Sequence, residues 1–251
     1  MTTDRRYTGS LRHARFVEAD LAGASFRNCN LSDVTIASSY LANVRVSGVI
    51  DTVLINGIDV TGFVAAELDR RHPERVRVRG MRTADDYRAM WRGIETLWSV
   101  TRERAERLPE PVRHERVDEE WSFVETLRHL VFATDLWASH MVLGEPKPYH
   151  PLGLPPTDFP PEDRAALGID AEARPSYAEV MAARADRMAR VRAIVATLTD
   201  DDLERLSTGA LPAAWEEPLQ PVGECLRVVM EEEVEHHRYT TRDLAALEAR
   251  R

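Results

Sequence analysis

The chain has 251 residues, of which 43% are hydrophobic and 30% are charged, as in an ordinary globular protein with a sizeable core. Its net charge of −9 and isoelectric point near 5.5 argue against nucleic acid or anionic membrane as partners, because both are bound through basic patches. Two cysteines, Cys29 and Cys225, no signal peptide and no long apolar run predict a cytoplasmic protein without a disulfide framework or membrane span.

Near the N-terminus an apolar residue recurs every five positions: Leu11, Phe16, Leu21, Phe26, Leu31, Ile36, Leu41 and Val46. Small side chains such as Ala19 and Ala24 stand two residues before the later ones, a spacing that neither helix nor strand produces. The pattern resembles pentapeptide repeats, which form a right-handed square β-helix with both positions pointing inward. Four pentads make one coil in that family. The resemblance therefore implies about two coils, and we assign residues 10–60 to this β-helix.

The charge of the repeat bears on its function, because some pentapeptide-repeat proteins imitate DNA through an acidic surface. The charged residues between Leu11 and Val46 nearly balance, and they include Arg12, Arg15, Arg27, Arg45, Glu18, Asp20 and Asp33. A structural or interface role is therefore favoured over nucleic-acid mimicry, since a short stack of repeats leaves apolar ends that must be covered.

The segment after the repeat carries a turn signal and a short helical pattern. Asn56-Gly57 predicts a turn between two apolar stretches. Residues 63–72 predict a helix that stops at Pro73, because the residue before a proline disfavours the α conformation. We interpret residues 61–81 as this helix followed by a linker.

Four longer amphipathic patterns follow, and they begin at Thr83, Ser122, Ser176 and Pro221. Each of the first three opens with a capping-box pattern, and the fourth has proline in its first turn. Residues 145–174 hold half of the chain's 14 prolines and predict a long crossover loop. We therefore predict an α+β chain in which the short pentapeptide-repeat β-helix is fused to a four-helix bundle over residues 82–251.

Glu233 and His237 of the fourth helix lie one turn apart in a largely apolar stripe. A buried carboxylate without a partner is costly, and a divalent cation held by both residues and a third ligand would satisfy them. A hydrogen-bonded Glu/His pair, or a polar face on a half-exposed helix, is the alternative. His129 on the second helix is the candidate third ligand, and His140 on the same flank is its rival.

The segments Trp121–Leu130 and Glu233–Arg238 together resemble the DinB-like superfamily, which includes mycothiol-dependent maleylpyruvate isomerases and bacterial low-molecular-weight-thiol S-transferases. The resemblance implies a four-helix bundle whose metal is held by one histidine of the second helix and two ligands of the fourth. It places His129, Glu233 and His237 as these ligands. Glutamate at the second position is the pattern of the isomerase branch.

Three protein ligands leave a position for water or a thiolate, which indicates a reactive site. The resemblance implies a metal-dependent thiol S-transferase or isomerase that acts on a small molecule, with zinc or nickel and a thiol such as mycothiol as cofactors. His236, Arg238 and Arg128 are candidates to support the ligands or to hold an anionic substrate. The alternative is a non-catalytic metal-binding or assembly module in which the repeat is an interface, and we also consider a homodimer.

Overall fold

A computed structural model gives the fold over residues 6–157, 159–170, 172–209 and 219–250. The chain forms two compact units that divide between Ile50 and Asp51. The boundaries that the sequence predicts near residues 60 and 81 therefore fall inside the second unit. Helices dominate this unit, and none of the helices in the described ranges is both long enough and apolar enough to cross a membrane.

Residues 6–50 repeat one backbone conformation every five residues. A positive φ recurs once in each pentad, at His13, Glu18, Gly23, Asn28, Asp33, Ser38, Asn43 and Gly48. Turn hydrogen bonds recur every ten residues, for example from the Ala24 N–H to the Leu21 carbonyl at 2.9 Å. The five-residue period of the sequence is therefore also the period of the backbone.

The large apolar residues of the repeat are more exposed than the sequence predicts. Leu21, Phe26 and Leu31, which were expected to point inward, expose 47%, 60% and 48% of their surface. In a solenoid each coil is covered by the coils on either side of it, and in a run of about two coils neither has a neighbour on both sides. The expected burial is thus not seen here, and the right-handed β-helix stays a prediction.

The second unit begins with a small antiparallel hairpin. Strand β1 (Leu54–Ile55) pairs with strand β2 (Ile58–Asp59), with Leu54 opposite Asp59. Asn56 and Gly57 between them have φ of 51° and 80°, the left-handed values that a tight two-residue turn requires. The turn predicted at this dipeptide is confirmed.

Two short helices follow the hairpin. Helix α1 (Thr61–Arg71) confirms the helix predicted before Pro73. The linker predicted after this proline is wrong, because the residues form helix α2 (Pro73–Gly80). Proline disfavours helix in the residue before it but suits the first helical position, where the missing N–H would have no intrahelical partner. Pro73 therefore separates α1 from α2 and begins α2.

Four long helices, here called the core helices, carry most of the apolar core. They are α3 (Ala84–Glu106), α5 (Phe123–Thr134), α7 (Tyr177–Thr197) and α9 (Val222–Ala249). The predicted capping boxes at Thr83, Ser122 and Ser176 are present, and Pro221 precedes α9 as predicted. Both α3 and α5 pack against α7 and α9. This is the pairing that a four-helix bundle requires.

Shorter elements connect the core helices: α4 (Glu110–Arg113), α6 (Pro161–Ala166) and α8 (Asp200–Glu204). Helix α6 lies in the crossover that was predicted to hold no helix, and its proline again occupies the first turn. From Asp135 to Val142 the chain continues α5 as a π-helix, whose hydrogen bonds span five residues and whose turns are wider than those of an α-helix.

Candidate metal centre

His129 enters the interior on α5, whose first turn is fixed by Ser122 and Glu125. The Ser122 hydroxyl accepts the Glu125 N–H, and the Glu125 carboxylate accepts the Ser122 N–H. Nearly every residue of α5 is buried, and α5 packs against both α7 and α9. The buried imidazole of His129 therefore needs polar partners inside the unit.

Helix α9 supplies those partners as Glu232 and His236, which lie one turn apart. The Glu232 Oε2 atom is 3.2 Å from His129 Nε2 and 3.1 Å from His236 Nε2. One ligand atom from each of the three residues lies within 4.8 Å of the other two. These three side chains, here called the His129 cluster, are the only such group of three found among the described residues.

The hydrogen bonds of His129 determine its tautomer. They show which ring nitrogen carries the hydrogen and which one faces Glu232. Its Nδ1 atom is 2.9 Å from the Leu154 carbonyl, which can only accept, so Nδ1 carries a hydrogen. In a neutral imidazole Nε2 then has a lone pair, and it faces the electron pairs of the Glu232 carboxylate. A cation between them, either a second proton or a metal ion, turns this repulsion into attraction.

The donor set and its spacing fit a divalent metal. Two imidazole nitrogens and a carboxylate oxygen are ligands that zinc and similar ions accept. Ligand atoms around a tetrahedral ion with bonds of about 2.1 Å are about 3.4 Å apart, close to the spacings around Glu232 Oε2. A backbone carbonyl holding the second nitrogen of a ligating histidine is also usual. His129, Glu232 and His236 can therefore hold an ion with little movement.

The electrostatics of the cluster favour the ionised form of Glu232. Burial raises the pKa of Glu232, but hydrogen bonds from His129 and His236 outweigh it, so this pKa lies well below its usual value. Burial also lowers the pKa of His236, although Glu232 acts against this. An ionised carboxylate is the form that binds metals, and a metal ion at the cluster would displace the proton through which a histidine nitrogen donates to Glu232.

Aromatic rings form one wall of the cluster, while another side reaches solvent. The Trp121 ring lies 4.7 Å from the ring of His129 and 6.0 Å from that of His236, measured between centroids. The Phe132 ring contacts His129, and the Tyr239 ring contacts His236. The side chain of Glu232 remains about one-third exposed. The cluster therefore lies at the edge of the buried core, with Glu232 its most exposed member.

The structure does not bring Glu233 and His237 to His129. Glu233 is fully buried and pairs with Arg184 of α7, while His237 Nε2 lies 2.8 Å from the Thr101 hydroxyl of α3. Burial raises the pKa of Glu233 against the opposing effect of Arg184, and burial also lowers the pKa of His237. Both residues are buried, as the alternative of a hydrogen-bonded Glu/His pair expected, but each is bonded to a neighbouring helix and not to the other.

Sequence reasoning missed Glu232 and gave His236 only a supporting role. The run Glu231–Arg238 contains two Glu-x-x-x-His pairs that are offset by one residue, so spacing alone does not distinguish them. The prediction took the pair at the centre of the apolar stripe. A reactive metal site must also be reached by its substrate, and this points to the pair at the edge of the stripe.

The other predicted site residues have partners of their own. The guanidinium of Arg128 is buried and donates to the carbonyls of Leu152, Asp170 and Ala173, which fastens the crossover to α5. Arg238 pairs with Glu235 and lies over the Tyr239 ring. Neither arginine donates to the His129 cluster in these bonds.

His140, the rival of His129, lies on the π-helix. Its Nδ1 atom is 2.8 Å from the Glu145 carbonyl, and its ring contacts Tyr149. With α-helical geometry, the eleven residues from His129 to His140 would bring both side chains to nearly the same face. The rise of about 1.5 Å per residue also places His140 roughly 16 Å further along the helix axis than His129, so this distance alone keeps it apart from the cluster.

Comparison with known families bears out the two resemblances. A family model for pentapeptide repeats matches residues 10–50 with eight copies of the repeat. A family model for the DinB superfamily matches residues 94–240, which contain all three members of the His129 cluster. No curated protein and no solved structure matches the chain significantly. Because the DinB match covers more than half of its 251 residues, the chain belongs to the DinB superfamily.

Proposed function

We propose that this chain is a metal-dependent enzyme that transfers or isomerises a small molecule with the help of a low-molecular-weight thiol such as mycothiol. The convergence of His129, Glu232 and His236 at the edge of the core, where Glu232 is about one-third exposed, is the observation that carries the proposal. A site needed only for stability would gain little from three such polar groups in place of apolar ones. The thiol and the reaction rest on the resemblance to the isomerase branch.

Each residue of the cluster has a defined part in this proposal. His129, Glu232 and His236 would hold zinc or nickel through Nε2, a carboxylate oxygen and Nε2 respectively. The bound ion would supply a Lewis acid that favours the deprotonated form of a thiol or a water at neutral pH. The Leu154 carbonyl keeps the proton of His129 on Nδ1, and Trp121 excludes water from one side.

The same proposal includes the fold details implied by both families. The core helices form a DinB-type four-helix bundle that carries the site, and the N-terminal repeat forms a short right-handed β-helix. The packing of α3 and α5 against α7 and α9 supports the first, and the five-residue recurrence of positive φ supports the second.

Metal titration of the single-residue variants tests the ligand set. Chelator-treated wild-type protein should bind about one equivalent of Zn²⁺ or Co²⁺, and His129→Ala, Glu232→Gln and His236→Ala should each weaken binding at least about a hundredfold. His140→Ala is the matched control, because it removes another partly buried imidazole from the same helical stretch. Wild-type binding in all three ligand variants, or its loss in the control, would refute the assignment.

A thermal-shift screen of metal-loaded protein against small thiols tests the enzyme function. A ligand that binds only the folded protein stabilises it by about 2.7 kcal/mol at a hundred times its Kd. Thiols should raise the Tm of the wild type and leave that of Glu232→Gln unchanged. If every thiol leaves both proteins unchanged, the thiol-dependent reaction is wrong even where metal binding holds.

An assembly module is the second candidate, and the exposed apolar residues of the repeat favour it. Phe16, Phe26 and Ile36 each expose about 60% of their surface, as expected for a surface that another chain covers. Under this proposal the full chain should form a dimer in sedimentation experiments, and residues 51–251 alone should sediment as a monomer. A monomeric full chain at all concentrations would leave the repeat without an interface role.

A further inference from the structure

The two Glu-x-x-x-His pairs of α9 pose a problem of helix rotation. Glu232 with His236 and Glu233 with His237 have the same chemistry and spacing, and they differ by a rotation of about 100° around the helix axis. Either pair satisfies the ligand requirement. The buried apolar residues of α9, among them Met230 and Val234, already favour one rotation, and polar contacts outside the two pairs can add to this preference.

The inner pair, Glu233 with His237, makes such contacts. Arg184 on α7 donates through Nη2 to the Glu233 carboxylate, and both side chains are at most 2% exposed. The Thr101 hydroxyl on α3 hydrogen-bonds His237, and the edge of Trp98 packs against the same ring. Two neighbouring core helices therefore hold the inner pair in directions that leave Glu232 and His236 facing α5.

We infer that the Arg184–Glu233 ion pair, aided by Thr101 and His237, helps to set the rotation of α9 and thereby to select Glu232 and His236 as the metal-binding pair. Rotating α9 by one residue would leave the Arg184 cation buried without its carboxylate, which is strongly unfavourable. Replacing a buried ion pair by apolar residues of similar size is often neutral for stability. Such a replacement therefore removes the ion pair's share of the directional preference while keeping the helix buried, and the apolar residues of α9 keep theirs. The functional role of this rotation rests on the proposed metal centre. The rotation itself can be measured without metal.

Cys225 reports this rotation. It lies buried on α9, whereas its neighbour Glu224 is exposed. In the shifted rotation every residue takes the place of the one before it, so Cys225 takes the exposed place of Glu224. Buried thiols are inert and exposed thiols react. With Cys29→Ser in the background, Cys225 is the single thiol of the chain.

The test measures the reaction rate of Cys225 with a disulfide reagent in the metal-free full chain. The double variant Arg184→Met plus Glu233→Leu should react at least about tenfold faster than the parent at equal free energy of unfolding, set by urea. The matched control is Arg187→Met plus Asp135→Leu, another buried ion pair, which joins α7 to the π-helix and contains no residue of α9. This control should react at the parent rate.

A core variant, Val191→Ala on α7, separates rotation from unfolding. At equal free energy of unfolding, faster reaction of the double variant than of this variant supports the inference, and an equal or slower rate overturns it. Adding Zn²⁺ to the double variant should slow the reaction again, since metal binding favours the original rotation. If the wild type fails to bind Zn²⁺, the proposed metal centre fails, while the metal-free rates still decide the rotation.

Discussion

At the scale of single residues, the His129 cluster depends on groups outside its three members. Arg128 gathers three carbonyls of the crossover, and its own carbonyl accepts the Leu154 N–H. The Leu154 carbonyl in turn holds His129. A single buried guanidinium thus links the crossover, α5 and the orientation of the His129 ring.

Arg128→Met tests this link. The change removes three buried hydrogen bonds and leaves the Leu152 carbonyl without its donor, so we expect the free energy of unfolding to fall by about 2 kcal/mol or more. Proteolysis within residues 145–174 should also become faster. Urea denaturation and timed digestion measure the two effects.

Arg174→Met is the control for Arg128→Met. Arg174 also donates to the Ala173 carbonyl, but it lies on the surface. Its loss should change the free energy of unfolding by less than about 0.5 kcal/mol. If both changes lower the free energy of unfolding equally, the buried position of Arg128 contributes nothing to the stability of the crossover.

At the scale of elements, α5 is positioned by its first turn. Burial raises the pKa of Glu125, but its hydrogen bonds, first that from Arg116, outweigh this, so the pKa lies below its usual value of 4.5. A carboxylate with a lowered pKa in the folded state stabilises the fold above about pH 4.5. This contribution is lost as the pH falls through the folded-state pKa.

Glu125→Ala should therefore reduce the free energy of unfolding by about 1 kcal/mol at pH 7, and the loss should shrink below pH 4.5. Glu125→Gln keeps a side chain that can close the capping box but does not titrate, so it isolates the charge. Urea titrations between pH 3 and pH 7 measure both variants. A difference for Glu125→Ala that does not change with pH would contradict the assignment of the charged form.

Elements whose cause is local could be predicted from the sequence. The starts of α3, α5 and α7 follow from capping boxes, and the hairpin follows from Asn56-Gly57. Helix α2 was missed because one proline can both end a helix and begin another. The choice between Glu232 and Glu233 could not be predicted, since it depends on Arg184, which lies 49 residues away in the chain.

At the scale of the whole molecule, the two units differ in how they are stabilised. The buried apolar residues all lie between Val78 and Leu247, and none of the described residues 6–50 is buried. The second unit therefore has its own hydrophobic core, which is the physical requirement for folding alone.

Residues 51–251 alone should therefore fold and bind metal as the full chain does. We expect the two proteins to have the same metal stoichiometry. Their free energies of unfolding should agree within about 0.5 kcal/mol. Circular dichroism and metal titration on both proteins give the comparison. An unfolded fragment, or one that fails to bind a metal that the full chain binds, would show that the repeat completes the second unit.

The π-helix from Asp135 to Val142 has a consequence for comparing this chain with its relatives. A π-helical turn holds more residues than an α-helical turn, so it accommodates an insertion without breaking the helix. A relative that is α-helical throughout this stretch should have fewer residues between the positions that correspond to Asp135 and Val142. An alignment should therefore place its gap inside this stretch, after His129, so that the ligand itself stays in register.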